Sequence, residues 1–207
     1  MCLLTAFVLW TVAICFVDVR AIGPQGSSVG FAGINGFVHT LTGVHFSLYN
    51  ITDWLGLVPI FVCIGFGILG LVQWIKRKSI RKVDHSILIL GGFYIVTIAA
   101  YLFFESVVIN YRPVLINGYL EASYPSSTTM LVMCVMPTAI MQLGSRIKSK
   151  ALRNIVAVSI ITFITFMVIG RLISGVHWIT DIIGGALLST AIVLMYYSIG
   201  NIVAKSR

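Results

Sequence analysis

Two stretches of this chain hold the residue types that handle a tetrahedral oxyanion. The first pairs Tyr111-Arg112-Pro113 with Tyr124-Pro125-Ser126-Ser127-Thr128; the second runs from Arg171 through Ser174-Gly175 to His177 and Asp181. The planar fork of Arg gives two charge-assisted hydrogen bonds to such an anion. A His with a carboxylate four residues on is a common way to hold an imidazole as a nucleophile. Arg171 is six residues before His177, the wrong face of one continuous helix, so a turn across Ser174-Gly175 is expected to bring it back. The Pro-Ser-Ser-Thr stretch reads as a helix start, where free N–H groups and the positive dipole end form an oxyanion cradle at Ser126 and Ser127. Taken singly, each residue has a plainer use: Ser and Thr cap helices, Arg anchors a membrane boundary, and a lone His packs. Their coincidence in distant segments points to phosphate chemistry.

The elements that must position these residues are set by composition. Of 207 residues, 58% are hydrophobic and only 10% charged, far outside the range of soluble domains. Crossing the hydrocarbon core as helix takes about 20 apolar residues. Six segments qualify, at about 2–17, 55–75, 87–109, 127–144, 155–174 and 182–204, which predicts an all-α polytopic membrane protein with six transmembrane helices in one bundle. The first segment is short, but no positive charge precedes it and no small-residue cleavage site follows, so it is read as a retained helix.

Fourteen Lys and Arg residues against six acids give a net charge of +8. Eleven of the fourteen fall between the second and third spans (Lys76, Arg77, Lys78, Arg81, Lys82), between the fourth and fifth (Arg146, Lys148, Lys150, Arg153), or after the sixth (Lys205, Arg207). The positive-inside rule makes that side cytoplasmic, with both termini. Only Arg20, Arg112 and Arg171 lie opposite, so the basic excess is topology and not a nucleic-acid footprint. No repeat or linker divides residues 1–207, which read as a single domain. Gly65, Gly67, Gly70, Gly91, Gly92, Gly184 and Gly185 with Ser189 are expected at helix contacts, and Trp178 in the interfacial aromatic belt. In the outer loop, residues 18–53, Ile34, Phe37, Leu41 and Val44 recur at helical spacing and predict a short interfacial helix, lying on the membrane surface or capping the bundle. Cys2, Cys15, Cys63 and Cys134 all lie in predicted spans and match no metal site.

With these residues in view, the chain resembles the type 2 phosphatidic acid phosphatase family of integral membrane lipid phosphatases, which shares its site with vanadium haloperoxidases. The family carries Lys-x6-Arg-Pro, Pro-Ser-Gly-His and Ser-Arg-x5-His-x3-Asp on a six-helix bundle. Here Arg171, His177 and Asp181 meet the third motif, with Gly170 in place of Ser; Arg112-Pro113 and Pro125-Ser126 remain of the other two. Glu105 stands where the family has Lys, and Thr128 where it has the His that protonates the leaving group. The resemblance implies that His177 attacks phosphorus to form a phosphohistidine, that Asp181 orients it, and that Arg112, Ser126, Ser127 and Arg171 hold phosphoryl oxygens, without metal or cofactor. Glu105, Thr128, His39 and His45 are the candidates for a substitute acid. The substrate expected is a lipid phosphate or a prenyl diphosphate at the outer face of a bacterial plasma membrane; the alternative is a catalytically silent relative that binds or moves an anionic lipid. An unrelated transporter would place polar residues at mid-membrane, which this sequence does not do.

Overall fold

Long apolar runs, broken only where charge or Gly and Pro accumulate, make the architecture all-helical. The computed structural model describes residues 2–205; Arg207 of the basic tail lies outside them. The helices are α1 (Cys2–Phe16), α2 (Ala32–Thr42), α3 (Phe46–Leu55), α4 (Leu57–Arg77), α5 (His85–Ser106), α6 (Ser127–Gly144), α7 (Lys150–Ile173) and α8 (Ile179–Lys205). Among the described residues, five stretches are long and apolar enough to cross a membrane, with α3 and α4 forming one of them. At 15 residues, α1 is about 22 Å long, short of the ~30 Å hydrocarbon core, so the expected six spans become five plus a shorter apolar helix.

Two apolar clusters hold the bundle. The larger joins Phe7 and Ile14 of α1 to Leu90 and Phe93 of α5, Met130 and Val135 of α6, and Leu188 and Ile192 of α8; the smaller joins Val132 and Met136 of α6 to Met167 of α7. Helix α6 thus packs against both α7 and α8. By contrast, Phe61, Ile64, Ile68 and Ile75 of α4 and Ile95, Ile98 and Leu102 of α5 point outward. So much exposed aliphatic surface is stable only against lipid, and the chain is an integral membrane protein.

The outer segments differ most from expectation. The periodicity at Ile34, Phe37 and Leu41 does form α2, with those three side chains exposed as an apolar face, but the helix ends at Thr42 with Gly43 as its C-cap, so Val44 falls outside it. A further helix, α3, follows it without a sequence prediction. Of the glycines expected at helix contacts, Gly65, Gly67, Gly91 and Gly92 face open space, whereas Gly70 approaches Ile87. A Cβ at Gly184 would sit 2.3 Å from the Tyr124 ring, and one at Gly185 3.1 Å from the Ser126 carbonyl. Those two glycines let the segment before α6 lie directly on α8.

Candidate functional site

Between α5 and α6 the chain doubles back on itself. Asn117 and Gly118 both have positive φ, and Ile116 and Tyr119 exchange backbone hydrogen bonds across them, the pattern of a two-residue hairpin turn. Arg112 N–H donates to the Glu121 carbonyl at 3.0 Å and Ser123 N–H to the Asn110 carbonyl at 2.9 Å. This pairing sets Asn110, Arg112, Glu121 and Ser123 side by side. Trp178 fastens the hairpin to α8 by donating its indole N–H to the Tyr111 carbonyl at 2.7 Å. Trp178 is buried, not in an interfacial belt as expected, because that carbonyl gives its N–H a partner inside the protein.

The α7–α8 connection turns as its sequence suggests. Gly175 has φ +66°, and a Cβ there would come within 1.8 Å of the Gly43 carbonyl, so the turn requires glycine. The result brings Arg171 Nη2 to 3.3 Å from His177 Nε2. Asp181 lies in the first turn of α8, and His177 just precedes the helix. They do not touch: His177 Nδ1 and Asp181 Oδ2 are 3.9 Å apart. The Ser123 hydroxyl stands between them, 3.0 Å from Nδ1 and 2.5 Å from Oδ2. A carboxylate only accepts, so the single hydroxyl proton goes to Asp181 and Ser123 accepts from Nδ1–H. The Nε2 lone pair is then directed toward the Arg171 guanidinium. Asp181 is fixed further by Trp178 N–H at 2.9 Å and Asn110 Nδ2 at 3.3 Å. His177 is held in its neutral form, its pKa well below the usual value because burial, then the charges of Arg112 and Arg171, disfavour imidazolium.

Both arginines are buried in front of this imidazole. The ring of Tyr49, from α3, lies beneath the two guanidinium groups, 4.9 Å from that of Arg171 and 5.8 Å from that of Arg112, a cation–π platform for two like charges. Each also meets a carboxylate: Arg171 Nη1 is 3.5 Å from Asp53 Oδ1, and Arg112 Nε is 3.1 Å from Glu121 Oε2. The second contact is an ion pair without hydrogen-bond alignment. Arg112 Nε and Nη1, Arg171 Nε and Ser126 Oγ are buried with no hydrogen-bond partner among the described residues. Buried donors in that state are costly, and the oxygens of a phosphoryl group would satisfy them.

A cavity of about 40 Å³ opens beside His177, lined by Glu105, Arg112, Glu121, Ser123 and Ser127 among others. The structure therefore gathers His177, Asp181, Arg112, Arg171, Ser126 and Ser127 as the sequence predicts, with one correction to the cradle: the Ser126 amide already donates to the Asp181 carbonyl at 3.1 Å, leaving its hydroxyl as the free group. Of the substitute acids, Glu105 reaches the cavity rim. Thr128 is not among the cavity residues and packs toward Gly56 at the α3–α4 junction. His39 hydrogen-bonds the Gly175 carbonyl at 3.1 Å and packs against Trp178, while His45 bonds the Thr42 carbonyl at 2.8 Å; both serve the outer loop. Sequence reasoning missed Ser123, Asn110, Tyr49, Asp53 and Glu121. The Asn117-Gly118 dipeptide is the signal that could have found the hairpin residues.

Comparison with known proteins places the family and the fold. No curated protein matches the chain in sequence. Among solved structures, the chain is similar to that described as the first transmembrane PAP2 type phosphatidylglycerolphosphate phosphatase from Bacillus subtilis, with 17% identity, a TM-score of 0.63, and coverage of 97% of this chain and 94% of that one. At that identity the likeness speaks to the fold. The family model PAP2 superfamily matches residues 82–203, which is more than half of the sequence and includes every arginine, serine, histidine and aspartate of the motifs. The chain belongs to the PAP2 superfamily.

Proposed function

We infer that this protein is a membrane lipid phosphatase or diphosphatase that works at the extracytoplasmic face through a phosphohistidine at His177. The observation that carries this reading is the Asp181–Ser123–His177 chain, which leaves a neutral imidazole with its Nε2 lone pair aimed at the buried Arg171 guanidinium. Membership of the PAP2 superfamily supports phosphoester hydrolysis at a membrane. The split of basic residues supports the outward-facing site.

Leaving-group chemistry narrows the substrate. Protonation by a placed acid is worth roughly 10²–10⁴ in rate, and the family's second His is Thr128 here. A lipid alkoxide leaves badly without a proton; a lipid monophosphate, already a stable anion, leaves well. A prenyl diphosphate is thus the substrate that suits this site. The test compares phosphate release from the diphosphate and the monophosphate of one prenyl alcohol by the purified parent, His177→Ala and Thr128→His. The parent should prefer the diphosphate, His177→Ala should be inert, and Thr128→His should raise monophosphate turnover if its imidazole reaches the leaving oxygen. A parent that hydrolyses both equally fast would overturn the substrate assignment, and parental rates in His177→Ala would overturn the mechanism. Replacement of the family Lys and His favours a second reading, a silent relative that binds anionic lipid; it predicts binding of both lipids and turnover of neither.

A further inference from the structure

A phosphohistidine must be hydrolysed as well as formed, and the second half-reaction needs a group to take a proton from water. Residue 128, where the family has the His that protonates the leaving group, carries Thr and does not line the cavity. Three carboxylates approach the site from outside the His177 relay. Asp53 touches Arg171 but does not line the cavity, and Glu105 lines it without an ion pair to either arginine among the described residues. Glu121 does both: it lines the cavity with His177, and its Oε2 is 3.1 Å from Nε of Arg112.

We propose that Glu121 is the general base that activates water to hydrolyse the phosphohistidine. The inference rests on the phosphohistidine reading above and adds the residue that completes its second step. As the carboxylate of an ion pair, Glu121 accepts a proton and does not supply one, the role left open once the leaving group needs no acid. Its side chain is 41% exposed while His177 is buried, so it stands where bulk water enters. The cavity of about 40 Å³ has room for a few waters at ~10–15 Å³ of such volume each. Its backbone carbonyl is tied to Arg112 N–H, which fixes the carboxylate next to the arginine that holds the phosphoryl group. In the step itself, the water oxygen forms a bond to phosphorus as the Nε2–P bond breaks. The electron pair returns to Nε2, the proton passes to Glu121, and inorganic phosphate leaves.

Glu121→Gln keeps the shape and an oxygen for Arg112 but cannot take the proton. With prenyl diphosphate labelled in its terminal phosphoryl group, rapid acid-free quench should show a burst of about one equivalent of lipid monophosphate per enzyme. Label should persist on His177, and steady-state turnover should fall roughly 10²–10⁴-fold. Glu121→Ala should behave alike and recover partly with added formate. The proposal is overturned if Glu121→Gln turns over at the parental rate, if burst and steady state fall together, or if burst kinetics appear in Glu105→Gln or Asp53→Asn instead. If Glu121→Gln shows neither burst nor label while the parent still labels at His177, Glu121 is not the base and the phosphohistidine stands. A parent that releases phosphate without ever labelling brings down the reading beneath, and a parent inert on the diphosphate overturns both.

Discussion

Replacing Ser123 by Ala breaks the link between His177 and Asp181 while leaving every arginine in place. Asp181 retains Trp178 N–H at 2.9 Å and Asn110 Nδ2 at 3.3 Å. His177 Nδ1 retains nothing, since the nearest acceptor, Asp181 Oδ2, is 3.9 Å away, beyond hydrogen-bond reach. An orphaned buried donor costs ~1–3 kcal/mol, and if that cost falls on the transition state, in which the imidazole gains positive charge, kcat drops roughly 5- to 150-fold at 1.4 kcal/mol per decade. KM should change little, because the substitution leaves the unpaired donors of Arg112, Arg171 and Ser126, the groups proposed to hold the phosphoryl oxygens, in place. Steady-state kinetics on a lipid diphosphate, in a double-mutant cycle with Asp181→Asn, read the coupling directly. Once Ser123 is gone Asp181 acts on His177 only through space at 3.9 Å, so the double variant should be slower than the worse single one by much less than the product of the two losses. Ser123→Ala at the parental rate, or losses that simply multiply, would refute a relay through the hydroxyl.

Three further outcomes follow from the same geometry. In a cysteine-free background, Cys at exposed Asn117 should react with an impermeant thiol reagent in intact cells and Cys at exposed Ser149 should not; the reverse pattern would invert the topology. Gly175→Ala should lower the thermal midpoint far more than Gly118→Ala, for both have positive φ but only at 175 does the new Cβ meet backbone, 1.8 Å from the Gly43 oxygen, so similar shifts would show that the loop yields. Because the folded state depresses the His177 pKa below 6.5, the unfolded chain binds the extra proton between the two values. The His177 contribution to stability should therefore be intact above about pH 7 and be lost on acidification below about pH 6.5, by up to ~1.4 kcal/mol per pH unit; the difference between parent and His177→Asn profiles reads that contribution, and identical slopes would mean that His177 does not titrate there.

The helix plan was legible because lipid demands long apolar runs, which composition cannot disguise; only α1, at 15 residues, falls short. The proposed nucleophile was legible because Arg171, His177 and Asp181 lie in one segment, and Gly175 announces the turn that folds Arg171 back. What the sequence hid came from pairing across distance. Ser123 reaches His177 only because the hairpin register sets it opposite Asn110. Asn117-Gly118 marks the turn, but that register is shifted from the turn's own pairing of Ile116 with Tyr119, so the facing residues could not be read off. Tyr49 and Asp53 enter from α3, whose place over the arginines is a tertiary fact. The i,i+4 spacing of His177 and Asp181 suggested direct contact, yet His177 precedes α8 and leaves a gap that one hydroxyl fills.

Two arginines facing three nearby carboxylates would look hostile to a phosphate if charges were only counted. Burial decides the balance. The Arg171 side chain is 1% exposed and that of Arg112 11%, whereas Asp53 is 57% and Glu121 41% exposed, and Glu105 lies on the surface. A charge in low dielectric acts at several times the strength of one wrapped in water, where ion pairs are worth ~0–1 kcal/mol. The field at His177 is consequently set by the two guanidinium groups in front of the ring and the buried Asp181 behind it, and the three outer carboxylates act as screened, replaceable counterions. In the proposed reaction an arriving phosphoryl group would exchange those weak contacts for the donors left unpaired on Arg112, Arg171 and Ser126. The acids then remain at the rim, on the water side, where a carboxylate can handle a proton without competing for the anion's place.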